Sequence, residues 1–166
     1  IEYLSDFLRD DIFNIKVSSL IKKENIICYN PQKSNQFMNL LIKKTDFKFI
    51  PLINLNNEKI VNTLLKSKIY IDIGSHPGKD RLPREAAILG NCIITNLKGS
   101  AANSDDISIP NNFKFKENIS NLNKIKNTIN LIFNDYENEY KKFDLYVEKI
   151  LKEKETFIKE VNKIFQ

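Results

Sequence analysis

The chain has 166 residues, 42% hydrophobic and 28% charged, the size and balance of one domain able to bury a real core. Its net charge of +5 comes from 26 Lys and Arg against 21 Asp and Glu, yet 23 of the cations are lysines and only three are arginines (Arg9, Arg81, Arg84). The lysines are spread along the chain among acids, beside 22 Asn and 25 Ile. This is the bias an AT-rich genome imposes and not a basic patch, so no nucleic-acid partner is expected.

In chain order, Tyr3, Leu4, Phe7 and Leu8 predict a short helical turn, Asp10-Asp11 a break, and Ile12 to Ile21 a second apolar patch. Ile26 to Tyr29 is a compact apolar run closed by Asn30-Pro31, a buried strand ending in a loop. Phe37, Leu40 and Leu41 recur at helical spacing after Ser34, a suitable N-cap. Phe47 to Ile53 predicts a second strand, interrupted by Pro51. Asn56 opens a helix with Ile60, Val61, Leu64 and Leu65 on one face. Ile69 to Ile73 predicts a third strand, in which Asp72 is out of character. A glycine-bearing loop follows, then a helix from Pro83 to Leu89 stopped by Gly90. Cys92 to Thr95 predicts a fourth strand, and shorter ones are expected near 107–109 and 113–115. Beyond them, residues from Ile119 to Phe133 mark one amphipathic helix and residues from Tyr140 to Phe165 a long second one.

Short connections between alternating strands and helices predict an α/β fold. The expected architecture is a Rossmann-like parallel sheet of about five to six strands flanked by helices, with a long C-terminal helical extension. The chain divides into a linker or edge segment over 1–25, a core over 26–116 and C-terminal helices over 117–166. The longest apolar runs, Leu40-Leu41-Ile42 and Ile93-Ile94, fall far short of a membrane span. No basic-then-apolar leader opens the chain, so neither a transmembrane segment nor a signal peptide is expected. Cys28 and Cys92 sit inside apolar runs as small buried hydrophobes, which fits a reducing, cytoplasmic compartment. The chain begins with Ile1 and its only methionine is Met38, so it is expected to be a piece of a longer protein.

Against this biased background the rare residues stand out. All four glycines (Gly74, Gly78, Gly90, Gly99), the single histidine, His76, and two of the three arginines fall in one stretch of 26 residues. Ligands of open α/β sheets sit outside the carboxyl ends of the strands, and Gly74 to Glu85 lies there, between a strand end and a helix N-terminus. Free backbone N–H groups and the helix dipole favour an anion at such a place. Arg84, a cation in the first helical turn, opposes that dipole and needs an anionic partner. The partner is either Asp80 or Glu85, or a phosphate to which Lys79 and Arg81 add charge. Glu85 itself suits a first turn. His76, before Pro77 in a strand-end loop, is expected to be exposed. No Walker loop and no dinucleotide fingerprint occurs. Asn30, Lys33, Gly99 and Ser100 sit at the ends of other predicted strands and would face the same crevice.

The segment Leu82-Pro83-Arg84-Glu85-Ala86-Ala87-Ile88-Leu89-Gly90-Asn91-Cys92-Ile93-Ile94-Thr95 resembles the donor-site segment of GT-B glycosyltransferases. With His76-Pro77-Gly78-Lys79-Asp80-Arg81 before it, and Tyr29-Asn30-Pro31 and Gly99-Ser100-Ala101 on either side, it is similar to a bacterial subgroup linked to surface polysaccharide. The resemblance runs from about Ile26 to Phe115. It implies a nucleotide-sugar donor held in the C-terminal of two Rossmann-like domains, for transfer to a polysaccharide or glycoconjugate acceptor. It implies that Glu85 binds the donor ribose and that Gly78, Lys79, Arg81 and Arg84 meet the diphosphate. Asn30, Lys33, Ser75, His76, Gly99 and Ser100 would line the rest of the donor site. GT-B enzymes generally need no bound metal, and none is expected, nor any cofactor beyond the donor. The family's first glutamate would fall near His76-Pro77, where this chain has no carboxylate. The catalytic base would come from an N-terminal acceptor domain that this chain has no room for, so no catalytic residue is assigned and the piece alone should be inactive. The full-length protein would be cytoplasmic, or peripheral to the inner face of the membrane. The alternatives are a nucleotide-sugar epimerase-like domain and a non-catalytic Rossmann-like binding or scaffold module.

Overall fold

The computed structural model describes residues 6–15 and 22–165. Five parallel strands form one sheet: β1 (Glu24–Tyr29), β2 (Lys48–Pro51), β3 (Ser67–Asp72), β4 (Cys92–Asn96) and β5 (Lys114–Phe115), in the order β2-β1-β3-β4-β5. Helices α1 (Asp10–Phe13), α2 (Gln36–Lys43), α3 (Asn57–Lys66), α4 (Arg81–Ile88), α5 (Leu122–Asn134), α6 (Tyr136–Lys141), α7 (Asp144–Leu151) and α8 (Glu153–Phe165) complete it. This is the expected α/β, Rossmann-like architecture, with five strands. The apolar runs become the central strands because parallel strands are covered on both faces. Ile27, Ile69, Tyr70, Ile93 and Ile94 are all fully buried.

The chain winds one way from β1 to β2, then returns past β1 to continue as β3, β4 and β5. The reversal lies between β1 and β3. Doubly wound sheets bind ligands outside the carboxyl ends at such a reversal; here the loops leaving β1 and β3 meet there, through a bridge between Ser34 and Gly74.

Local chemistry explains most boundaries. Asn56 caps α3 by accepting from the Lys59 N–H at 2.9 Å. For α2 the cap is Asn35 and not Ser34: the Asn35 side chain accepts from the Phe37 and Met38 N–H groups. The Ser34 hydroxyl instead donates to the Asn30 carbonyl at 2.9 Å, tightening the preceding turn. Helix α4 starts two residues before Pro83 and closes as a Schellman turn. Gly90, with φ of 85°, donates to the Ala87 carbonyl and Asn91 to that of Ala86. At the opposite edge of the sheet the Lys23 ammonium donates to the Leu64 and Leu89 carbonyls, bracing the ends of α3 and α4.

Several expectations are corrected. Residues 107–109 form no strand; Ile107 and Ile109 are buried from a loop. The second strand shrinks to Lys48–Pro51, and Pro51 is tolerated because β2 is the edge strand and the Leu52 N–H makes the bond to the Tyr29 carbonyl, at 2.8 Å. Asp10 and Asp11 begin α1 instead of breaking a helix, and Phe7 and Leu8 precede it without helical structure. Tyr3, Leu4 and residues 16–21 of the second apolar patch lie outside the described residues. The long final helix is three helices. Phe143 breaks the first junction by turning fully inward against Phe113, ring centroids 4.7 Å apart. Lys152 marks the second, after which Glu153 is directed into the interior.

The loops at the carboxyl edge approach too closely for side chains. Ser34 and Gly74 pair as an isolated antiparallel bridge, and a Cβ at Gly74 would stand 1.8 Å from the Lys33 carbonyl oxygen. Gly78 has nothing within 4 Å of the same position. Gly74→Ala should therefore cost roughly 1–3 kcal/mol in denaturant titrations, while Gly78→Ala should stay within about 0.5 kcal/mol of the parent. Equal midpoints for the two variants would contradict this loop packing.

Candidate functional site

The loop between β3 and α4 carries most of the singled-out residues. It is clasped from both sides. From the β1–α2 loop, Ser34 pairs with Gly74 and the Lys33 ammonium binds an Asp80 carboxylate oxygen. From the loop after β4, the Ser100 N–H donates to the His76 carbonyl at 3.1 Å, and the Ser100 hydroxyl to that of Gly78 at 2.6 Å. Gly99 has φ of 52°, and a Cβ there would lie 2.0 Å from the His76 carbonyl oxygen. Asn30 supports the near side by accepting through its side chain from the Gln32 N–H. Between the clasps lies a cavity of about 490 Å³, bordered by Lys33, Asn35, Ser75, His76, Lys98 and Gly99.

His76 is buried, 3% exposed, contrary to the expectation of an exposed ring. The cause is a pair of aspartates. Its Nδ1 lies 2.7 Å from Asp80 Oδ2, and its Nε2 lies 3.3 Å from the Asp72 carbonyl and 3.9 Å from Asp72 Oδ1. The Tyr70 hydroxyl donates to the other Asp72 oxygen at 3.3 Å. Burial alone would push the imidazolium to lose its proton, but the Asp80 hydrogen bond and the two nearby carboxylates outweigh it and hold its pKa above 6.5. Burial alone would also raise Asp80, yet the hydrogen bonds from His76 and Lys33 keep its carboxyl below the ordinary value. Asp72 is raised, chiefly by burial. Asp72, His76 and Asp80 bring one potential ligand atom each within 4.8 Å of one another, but those atoms are engaged as ion pairs and hydrogen bonds inside the cluster.

The cations expected to meet a diphosphate are placed differently from one another. Arg84 is buried, 2% exposed, and its charge is met by neither Asp80 nor Glu85 side chains. Its Nη1 donates to Glu153 at 2.7 Å and Nη2 to Asp6 at 2.9 Å, while Nε and Nη2 reach the Asp80 and Lys79 carbonyls. The Lys79 ammonium binds the other Glu153 oxygen at 2.6 Å. Arg81 is half-exposed, with Nε 3.3 Å from Glu85. Glu85 is buried, and its Oε1 has no hydrogen bond; burial raises its pKa, opposed by Arg81 and Arg9. Gly78 lies exposed at the loop tip.

The structure thus gathers Lys33, Ser75, His76 and Gly99 at one cavity, with Ser100 behind it. Lys79 and Arg84 converge instead on Glu153. Sequence reasoning missed the roles of Asp80, Lys98, Asp6 and Glu153. Asp72 did carry a signal, a charge inside an apolar strand. Glu153 carried none, because its partners lie 69 and more residues away in the chain. No protein-family model and no curated protein matches this chain.

The histidine sets a pH dependence with a defined sign. Its folded-state pKa lies above the 6.5 reference, so its stabilisation is full below about pH 6.5 and is lost as pH rises through the folded value. Lys23, pushed down to about 7 by burial, changes stability in the opposite direction, so the parent must be compared with His76→Gln. In denaturant titrations across pH 5–9, the stability of the parent relative to the variant should fall as pH rises through the folded value of His76. With a single histidine in the chain, its NMR titration reads the same group directly. A ring titrating at or below 6.5 would refute the cluster.

Proposed function

We propose that this chain is the donor-binding domain of a GT-B glycosyltransferase, which holds a nucleotide sugar for transfer to a polysaccharide or glycoconjugate acceptor. The observation that carries the reading is where the motif falls. The string from His76 to Glu85 leaves the carboxyl end of β3, at the reversal point of a doubly wound parallel sheet, beside an open cavity. Such sheets bind their ligands at that point. Glu85 adds support: its buried Oε1 is ion-paired with Arg81 at 3.3 Å but accepts no hydrogen bond, and a ribose hydroxyl would supply that donor. On this reading the cations near the start of α4 stabilise the leaving diphosphate as its charge grows. The acceptor site and the catalytic base would belong to a second domain. Among the described residues no helix is long and apolar enough to cross a membrane.

A second reading, a non-catalytic module of the same fold, is favoured by one observation. Arg84 and Lys79 are already neutralised by a carboxylate of the chain itself.

The first test is calorimetry or NMR with a panel of nucleoside diphosphates and nucleotide sugars at millimolar concentration. Binding is expected, and Glu85→Gln should weaken it roughly tenfold or more, as the loss of a charged hydrogen bond worth about 1.5–3 kcal/mol requires. Silence across the whole panel would end the donor-site reading. In a full-length protein, glycosyl transfer that survives substitution of both Arg84 and Glu85 would favour the non-catalytic module.

A further inference from the structure

Helix α8 is bound to the domain in an unusual way. Of its thirteen residues, Glu153 is the one that is buried, and it is a carboxylate 5% exposed. Apolar side chains of the same helix stay at the surface: Ile158 is 49% exposed and Phe165 78%. Elsewhere in α8, Lys154 makes an exposed pair with Asp10, and Phe157 meets the Phe7 ring at a centroid distance of 5.1 Å. The helix begins immediately after the turn at Lys152 that ends α7.

The receptor for that carboxylate is built from other parts of the chain. Arg84 is oriented by hydrogen bonds from its Nε to the Asp80 carbonyl and from Nη2 to the Lys79 carbonyl, both in the loop and turn that start α4. Lys79 comes from the same loop. Their charged ends meet the two oxygens of Glu153 at 2.7 and 2.6 Å. A two-cation clamp fixed by α4 and its loop, with an acid delivered by a terminal helix, is an anion site filled from within. The Lys79 side is approachable. A cleft of about 560 Å³ between the residues after β4 and helices α7 and α8 is bordered by Lys79, Lys149 and Glu153 together with Asp105, Asp106 and Glu160, while Arg84 lies buried behind Glu153.

We infer that Lys79 and Arg84 form a receptor for a phosphate-class anion, and that α8 is a latch occupying it with the Glu153 carboxylate until such an anion displaces it. Exchange of one anion for another keeps the buried charges compensated, whereas withdrawal of Glu153 alone would leave Arg84, among the described residues, with Asp6 as its carboxylate partner. The assignment of that anion as the donor's diphosphate rests on the function proposed above; the latch itself does not. The latch makes a quantitative demand. A site closed by its own carboxylate about nine-tenths of the time binds roughly tenfold more weakly than the open site.

The experiment titrates inorganic pyrophosphate into the chain by calorimetry and follows α8 amides by NMR. Glu153→Gln should tighten binding about tenfold or more, and adding Arg84→Gln to that variant should abolish the gain. In the parent, pyrophosphate should shift resonances across 153–165. Equal affinity in the parent and Glu153→Gln overturns the latch, as does a gain that survives loss of Arg84, or a Glu153→Gln protein that binds no pyrophosphate. Should Glu153→Gln not fold, Glu153→Asp, which withdraws the carboxylate by one methylene, is read by the same criterion. Nucleoside diphosphates run in parallel separate the two ideas. Nucleotide binding indifferent to Glu153 defeats the latch alone, and Glu153-dependent pyrophosphate binding with no nucleotide binding defeats the donor reading alone.

Discussion

A guanidinium withdrawn from water must be compensated, and most of what is particular to this domain follows from how Arg84 meets that requirement. Burial of an uncompensated charge costs several kcal/mol even after relaxation. Arg84 is compensated by Glu153 from the last helix, by Asp6 from the start of the described chain, and by two carbonyls next to its own helix. Segments separated by more than 140 residues are thereby brought to one point beside the carboxyl edge of the sheet. The hydrophobic core explains why the strands stack as they do. Leu8, Ile12, Tyr146 and Ile150 extend that core to the terminal segments beside α4, and the arginine fixes which of their charges meet there.

Beside that point lies a second ionic cluster with different work. Asp72, His76, Asp80 and Lys33 belong to the end of β3, its following loop and the loop after β1. They hold the two loops that flank the reversal point of the sheet in one arrangement. The backbone agrees with the charges, since Gly74 and Gly99 allow contacts that a Cβ would forbid. The glycines singled out in the sequence therefore serve loop-to-loop contact at two positions. At a third, Gly90, the positive φ ends a helix.

The fold was legible because its information is local. Apolar runs, Asn56 as a cap and Gly90 as a terminator each act within a few residues, and parallel strands need little more than continuous hydrophobicity. The site was legible only as a place. Spacing and rarity pointed to residues 74–85, but which acid would meet Lys33 and Arg84 depended on contacts across 47 to 78 residues. His76 shows a different difficulty: its aspartates are each four residues away, but a histidine before a proline in a loop reads as exposed, and only the fold of that loop makes them converge on the ring. The tripartite C-terminal region was hidden for a related reason. Periodicity records that a face is apolar, and it is blind to the inward turn of Phe143 that ends one helix and starts another.

The hold of α6 on α4 has a mechanical consequence. The Tyr136 and Tyr140 hydroxyls donate to the Gly90 and Ala87 carbonyls, 2.6 and 2.8 Å away, and so anchor the far end of α4 to α6. Helix α4 is then a beam fixed at one end and loaded at the other. A force applied near Arg84 has little freedom to tilt it, so displacement is shed into α8, which is held besides Glu153 by contacts such as the exposed Lys154–Asp10 pair and the Phe7–Phe157 rings. Rigidity in one helix thus selects which neighbour moves.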